Sequence, residues 1–338
     1  MPEQLARHFF GVGSLGEPDA TIPHEYISQL KLPYVYQLTS SRDEDMIRQF
    51  AAVIDEFEED GDFLLEVDIH TYREITGDDD PLLPDKVNIG ALYSLMDGTN
   101  YPFFKTQQTA PSTMCFSIRD SEGNQLVNRS MFHFFERLMT RIAQGQFNHL
   151  KEHCKTIIFC QDDPGLGFVK NMIESGKITD LTFEQIIEKT DRIYPEGVIP
   201  AFHFCDDWRT LQKDDWYPLW ESRPKLAHID VVRYPPEVDS EQAEKMNKFM
   251  QKGGGLALGV LPNVDDGFSE PVLDTLRANL KHTFEAFTSS GVALELVQRN
   301  SMVSTQCGLS GASPKLTRYI HEISREFPDI FNEQIKLF

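Results

Sequence analysis

The sequence contains no run of apolar residues long enough to cross a membrane, which takes about 18 of them in succession. Its N-terminus has no basic start followed by the apolar run of a secretory signal. Five cysteines, with no Cys-x-x-Cys pair among them, are too few and too scattered for a disulfide framework. We therefore expect a cytoplasmic protein with free thiols and without a membrane partner.

Positive charge is also scarce. The chain has 32 Lys and Arg residues against 53 Asp and Glu residues, which gives a formal net charge of −21. Such a surface repels phosphate backbones, so nucleic acid is not expected as a partner. The chain has no Walker motif, and its Gly165-Leu166-Gly167 segment lacks the third glycine and the downstream acid of a dinucleotide fingerprint.

Short apolar runs alternate with helical patterns along the chain. Continuous runs of this kind are typical of strands buried on both faces of a parallel sheet. Eight of them, without a clear domain break, predict an α/β fold: one (β/α)8 TIM barrel that occupies residues 1–338 as a single domain. The predicted strands are 9–12, 34–38, 114–118, 156–160, 198–204, 227–232, 256–260 and 302–305. The predicted helices are 46–57, 130–149, 240–250, 271–287 and 314–323.

The third unit of the predicted barrel is irregular. Residues 62–69 have a strand-like pattern, but residues 71–109 are rich in Asp, Pro and Gly. We assign residues 62–110 to an insertion before the third barrel strand.

Side chains that can bind a metal or a substrate lie where the predicted strands end. His203 and Cys205 close the fifth strand and Cys307 follows the eighth, while Ser14 and Asp162 follow the first and the fourth. In a barrel the carboxyl ends of all strands open onto one face, so these residues should meet there.

His203 and Cys205 are two residues apart, and in an extended strand such positions point to the same side. With Cys307 they would supply one imidazole and two thiolates, a donor set that suits zinc and leaves at least one position open. Zinc in this setting activates a substrate thiol as a nucleophile. The alternative is that the spacing is a coincidence and that the cysteines are small buried hydrophobic residues.

These motifs resemble those of the cobalamin-independent methionine synthase superfamily, which shares its barrel with uroporphyrinogen decarboxylase. The resemblance runs along most of the chain. It rests on the Gly-Val-Gly-Ser-Leu, Gln-Asp-Asp-Pro-Gly-Leu, His-Phe-Cys and Ser-Thr-Gln-Cys-Gly-Leu segments at residues 11–15, 161–166, 203–205 and 304–309.

The resemblance implies that His203, Cys205 and Cys307 bind a catalytic zinc ion. It further implies that Ser14 belongs to the turn that holds the carboxylate of an amino-acid substrate, and that Asp162 holds its amino group. The usual glutamate after that acid is Asp163 here.

The sixth strand departs from the family pattern. Methionine synthases carry a glutamate ligand at its end, and here the stretch has Arg233 or Pro235 instead. The fourth ligand is then water, the substrate sulfur, or a shifted Asp230 or Glu237. Related enzymes that act on coenzyme M use one His and two Cys.

From its length of 338 residues we expect this chain to lack the additional N-terminal barrel of folate-using methionine synthases. The shorter relatives resemble core enzymes that take methyl from a methylated corrinoid protein.

We therefore predict a zinc-dependent methyltransferase of methionine biosynthesis. It would move a methyl group from a methylcorrinoid protein or methylfolate to a thiol such as homocysteine. Two alternatives stay open: a metal-free enzyme of the uroporphyrinogen decarboxylase type, and a catalytically degenerate barrel that serves as a binding partner.

Overall fold

A seven-stranded, entirely parallel sheet forms the centre of the protein, in a computed structural model that describes residues 1–338. The strands are β1 (Phe9–Phe10), β2 (Ser14–Leu15), β3 (Gln37–Leu38), β4 (Phe57–Asp60), β5 (Asp62–Leu65), β6 (Phe104–Thr109), β7 (Ile118–Arg119), β8 (Ile157–Asp162), β9 (Ile199–His203), β10 (Leu226–Asp230), β11 (Gly255–Leu261) and β12 (Ser301–Thr305). The order in the central sheet is β1-β12-β11-β10-β9-β8-β6.

Helices follow most of these strands and make the fold α/β. They are α1 (Thr21–Ile27), α2 (Arg48–Ala51), α3 (Ile69–Gly77), α4 (Gly90–Met96), α5 (Pro111–Ser117), α6 (Arg129–Leu150), α7 (Leu166–Glu174), α8 (Phe183–Arg192), α9 (Pro218–Glu221), α10 (Ser240–Gln251), α11 (Val272–Ser290), α12 (Leu294–Asn300), α13 (Pro314–Ile323) and α14 (Phe327–Ile335). None of them is long and apolar enough to span a bilayer.

The sheet separates two hydrophobic cores. A core of 81 buried residues includes the sheet residues that face the helices. A second core of nine residues lies on the other face, and nearly every strand of the sheet contributes to it at alternate positions. Its members are Leu5, Phe10, Leu32, Ile158, Cys160, Ala201, Leu226, Ala257 and Met302. The sheet therefore curls around a small apolar interior.

The segment of residues 33–38 lies between the two edge strands of the sheet. On one side the Val35 amide donates to the Lys105 carbonyl of β6 at 2.9 Å. On the other side the Gln37 amide donates to the Gly13 carbonyl at 3.2 Å, and β2 pairs with β3 in parallel. The continuous ladder of hydrogen bonds thus covers seven strands. The second predicted strand, residues 34–38, connects the two edges of the sheet through a few hydrogen bonds. A complete (β/α)8 barrel and a single domain stay predictions.

The later strands of the sequence analysis are confirmed. β8 to β12 lie where residues 156–160, 198–204, 227–232, 256–260 and 302–305 predict them. The predicted helices 130–149, 240–250, 271–287 and 314–323 match α6, α10, α11 and α13.

The third predicted strand is wrong. Residues 114–118 belong mainly to α5, and the strand that pairs with β8 is β6, inside the segment assigned to an insertion. β6 was missed because its sequence, Phe-Lys-Thr-Gln-Gln-Thr, is polar although all six residues are buried. Hydrogen bonds compensate this burial: Thr106 Oγ1 donates to Gln146 Oε1 at 2.5 Å, and Gln108 Nε2 donates to the Met139 carbonyl at 3.0 Å.

The predicted boundaries of 62–110 therefore do not hold, although the irregular part before β6 is real. β4 and β5 form an antiparallel hairpin there. The predicted helix 46–57 is too long, since only Arg48–Ala51 (α2) is helical there. The Glu44 side chain before it accepts a hydrogen bond from the Leu38 amide at 2.7 Å.

A buried histidine of α13 makes stability depend on pH. His321 Nδ1 lies 2.7 Å from the Thr317 carbonyl, which can only accept, so Nε2 accepts from the Tyr34 hydroxyl at 2.7 Å. Burial lowers the pKa of His321 from 6.5 to about 4. The unfolded chain binds this proton first as pH falls, so the stabilisation is present above about pH 6.5 and is lost towards pH 4.

We predict that the free energy of unfolding falls by about 2–3 kcal/mol more in the wild type than in His321→Gln between pH 7 and about pH 4.5. Urea titrations at several pH values measure this difference. His70→Gln removes an exposed histidine and is the matched control, which should keep the wild-type pH dependence. Equal pH dependence of the wild type and His321→Gln would contradict the assignment.

Candidate metal centre

Three predicted ligands meet at one rim of the sheet. Cys205 Sγ lies 2.8 Å from His203 Nε2 and 3.3 Å from Cys307 Sγ, and Cys307 Sγ lies 3.7 Å from His203 Nε2. These donor atoms all lie within 4.8 Å of one another and form a group that could hold a metal ion. The other three cysteines, Cys115, Cys154 and Cys160, are free and buried away from this group.

The strand ends explain why these side chains converge. His203 is the last residue of β9, and Cys205 follows two residues later on the same side. Cys307 follows β12 by two residues. Its neighbour Gly308 packs tightly on the first loop: a Cβ atom there would lie 1.9 Å from Ser14 Oγ, so any other residue would force the Ser14 side chain to move.

The three donors polarise one another. The pKa of Cys307 is lowered, first because the Cys205 thiol donates a hydrogen bond to it, and also because His203 contacts it. The contact with Cys307, together with burial, raises the pKa of Cys205. Burial lowers the pKa of His203, but the hydrogen bond and the charge of Cys307 raise it further than burial lowers it.

The donor set fits zinc. Ligand bonds of about 2.3 Å to sulfur and about 2.0 Å to nitrogen place tetrahedral ligand atoms about 3.6–3.8 Å apart. The His203–Cys307 distance of 3.7 Å already has this value, and the other two distances would lengthen by less than about 1 Å.

A cavity of about 250 Å³ opens beside the three donors. It is smaller than the roughly 300–1,000 Å³ of sites that take drug-sized ligands, so it suits a small molecule. Its lining includes both predicted substrate-binding residues, Ser14 and Asp162, and four glutamines, but neither lysine nor arginine. The glutamines are Gln37, Gln49, Gln107 and Gln108.

Asp162 is the one carboxylate of the cavity. Its Oδ1 atom is buried without a hydrogen-bond partner, and the residue lines the cavity. Burial raises the pKa of Asp162, and the charge of Lys105 opposes this effect. Asp163 has a different role. Its Oδ1 accepts a hydrogen bond from Thr113 Oγ1 at 2.7 Å, and this bond shapes the turn after β8.

Asp230 and Glu237, the alternative fourth ligands from the sequence analysis, are not part of the group of three donors. Asp230 accepts hydrogen bonds from the amides of Val232 and Arg233 at 3.0 and 2.9 Å, and from Gln306 Nε2 at 3.2 Å. These bonds tie its carboxylate to the loop after β10. The group therefore has three protein donors, and its remaining side is open to the cavity.

Two buried residues next to the site were missed from the sequence. Lys105 Nζ donates to the Val12 carbonyl at 2.7 Å and to Gln107 Oε1 at 2.8 Å. His228 lies behind His203, with 2.8 Å between the two Nδ1 atoms, and burial lowers its pKa well below the usual value. The sequence shows one such polar residue within each strand, Lys105 in β6 and His228 in β10. A single Lys or His in a strand does not show which group it contacts in the folded protein.

Comparisons with known proteins give similarity in structure and none in sequence. No protein-family model matches the chain, and no curated protein matches its sequence. Among solved structures, the chain is similar to a B12-independent methionine synthase from Shewanella sp. W3-18-1 in complex with selenomethionine. The TM-score is 0.48 at 15% sequence identity, and the match covers 74% of this chain and 67% of that one. Because these values are low, we infer the function from the side chains of the site itself.

Proposed function

We propose that this protein is a zinc-dependent methyltransferase that alkylates a small thiol. The carrying observation is the convergence of His203 Nε2, Cys205 Sγ and Cys307 Sγ within 4.8 Å beside a cavity of about 250 Å³. Two sulfurs and one imidazole nitrogen with an open side are the donor set of zinc sites that bind a substrate.

When bound, zinc would lower the pKa of an acceptor thiol and make it a nucleophile near neutral pH. The protein's own residues would fix the geometry of the transfer. Ser14 and Asp162 line the same cavity and would bind the acceptor's polar groups, so that its sulfur faces the open side. After the thiol proton has left to solvent, the acceptor sulfur would form a bond to the methyl carbon while the bond to the donor breaks, and the electron pair of that bond would leave with the donor.

The Asp162 carboxylate lines the cavity and has one oxygen without a hydrogen-bond partner, which supports an acceptor that carries an ammonium group, such as homocysteine. The cavity has no space for a large second molecule beside the acceptor, so the donor would approach from the opening. A methylcorrinoid protein or a methylfolate would meet this requirement.

A metal-free decarboxylase is disfavoured by the charges. Its acidic substrates would need cationic side chains, and the cavity lining contains neither lysine nor arginine. Arg209 is paired with Asp207 at 2.8 Å, and the Arg233 side chain is 59% exposed.

Zinc content tests the ligand set. We predict one zinc ion per chain in the wild type, and a loss of zinc affinity of more than about 100-fold in Cys205→Ser and Cys307→Ser, because each removes a bonded donor. Elemental analysis and chelator competition measure this loss, and it should abolish methyl transfer to homocysteine. Cys154→Ser changes a buried cysteine outside the site and is the matched control. Zinc retained at wild-type affinity in Cys307→Ser would contradict the proposal.

The role of Asp162 predicts a change in acceptor preference. In Asp162→Asn the KM for homocysteine should rise about 10- to 100-fold, because a buried charged hydrogen bond contributes about 1.5–3 kcal/mol. The KM for 4-mercaptobutanoic acid, which lacks the amino group, should change little, and zinc content should stay at one per chain. An equal rise for both acceptors would show that Asp162 does not bind the amino group.

A further inference from the structure

His228 contacts the nitrogen of His203 that points away from the sulfurs. The two histidines are paired in the β9–β10 ladder, and both side chains are buried. Their Nδ1 atoms are 2.8 Å apart and their rings are inclined by 72°. A hydrogen bond between these nitrogens therefore fixes the orientation of the His203 ring on the side away from the sulfurs.

The surroundings of His228 determine which of its nitrogens carries the proton. Its Nε2 lies 2.9 Å from the Thr305 carbonyl oxygen, which can only accept. It also lies 3.1 Å from Ser304 Oγ, whose own hydrogen is donated to the Phe10 carbonyl at 2.7 Å. Both neighbours thus accept, which assigns the proton to Nε2 of His228.

This assignment fixes the tautomer of His203. With its proton on Nε2, neutral His228 can only accept at Nδ1, so His203 donates from its own Nδ1. A neutral His203 then has its lone pair on Nε2, the atom 2.8 Å from Cys205 Sγ and 3.7 Å from Cys307 Sγ. The chain of hydrogen bonds runs from the backbone of β12 through His228 to the metal-binding nitrogen.

His228 has no nitrogen left for the ion. One of its ring nitrogens is bonded to Thr305 and Ser304, and the other is bonded to His203. His228 therefore lies outside the donor group that could hold a metal.

We propose that His228 is a positioning residue, which holds His203 in the orientation and tautomer that present Nε2 to the ion. This inference rests on the proposed zinc site. Metal-binding histidines usually donate their second N–H to a carboxylate, a carbonyl or water, and loss of that partner lowers metal affinity by about 10- to 100-fold. Here a second imidazole has this function, and it is itself fixed by the backbone of the strand that precedes Cys307.

Two substitutions of His228 separate this role from simple packing. His228→Leu removes the acceptor, and His228→Asn places an amide oxygen near the position of Nδ1, where it can still accept from His203. We expect zinc affinity, measured by competition with a chromophoric chelator, to fall about 10- to 100-fold in His228→Leu and to stay within about threefold of the wild type in His228→Asn. The visible spectrum of the cobalt-substituted protein should change in His228→Leu and match the wild type in His228→Asn.

The melting temperature of each metal-free variant provides the control for folding. A lower melting temperature of metal-free His228→Leu with wild-type zinc affinity and cobalt spectrum would overturn the positioning role and leave a packing role. Equal loss of affinity in both variants would overturn it as well. A wild-type protein that binds no zinc would instead contradict the proposed function itself.

Discussion

Parallel strands that lie side by side in one sheet end at the same rim, and the site depends on this constraint. β9 and β12 are separated by about a hundred residues, yet their carboxyl ends bring Cys205 and Cys307 to 3.3 Å. Local sequence could not create this contact. It needs the β9-β10-β11-β12 register that aligns the strands in between. A one-residue slip of that register would turn the side chains to the other face of the sheet.

The same alternation produces a layered interior. Leu226 belongs to the apolar layer of the enclosed core, and His228, two residues further along β10, belongs to the polar layer above it. Polar groups buried this deeply cost free energy unless they are hydrogen-bonded. Lys105 and His228 meet this requirement through backbone carbonyls, whereas Asp162 Oδ1 does not. Asp162 lines the cavity beside the three donors.

Much of the fold followed from hydrophobicity, and the exceptions have a physical cause. β8 to β12 are apolar runs because both of their faces are buried. β6 is just as buried but polar, since its side chains bond to the interior of the sheet and to α6, so a search for apolar runs missed it. The cluster of His203, Cys205 and Cys307 was predictable because these residue types suit one metal and each stands at a strand end. His228 was not, because only the three-dimensional register shows which nitrogen it contacts.

X-ray absorption at the zinc edge of the purified protein tests the central claim most directly, because it counts and identifies the atoms bound to the ion. Two sulfur ligands at about 2.3 Å, accompanied by nitrogen or oxygen ligands at about 2.0 Å, are the predicted result. A zinc ion surrounded only by nitrogen and oxygen, or with a single sulfur, would contradict the assignment of Cys205 and Cys307 and the thiol chemistry inferred from them.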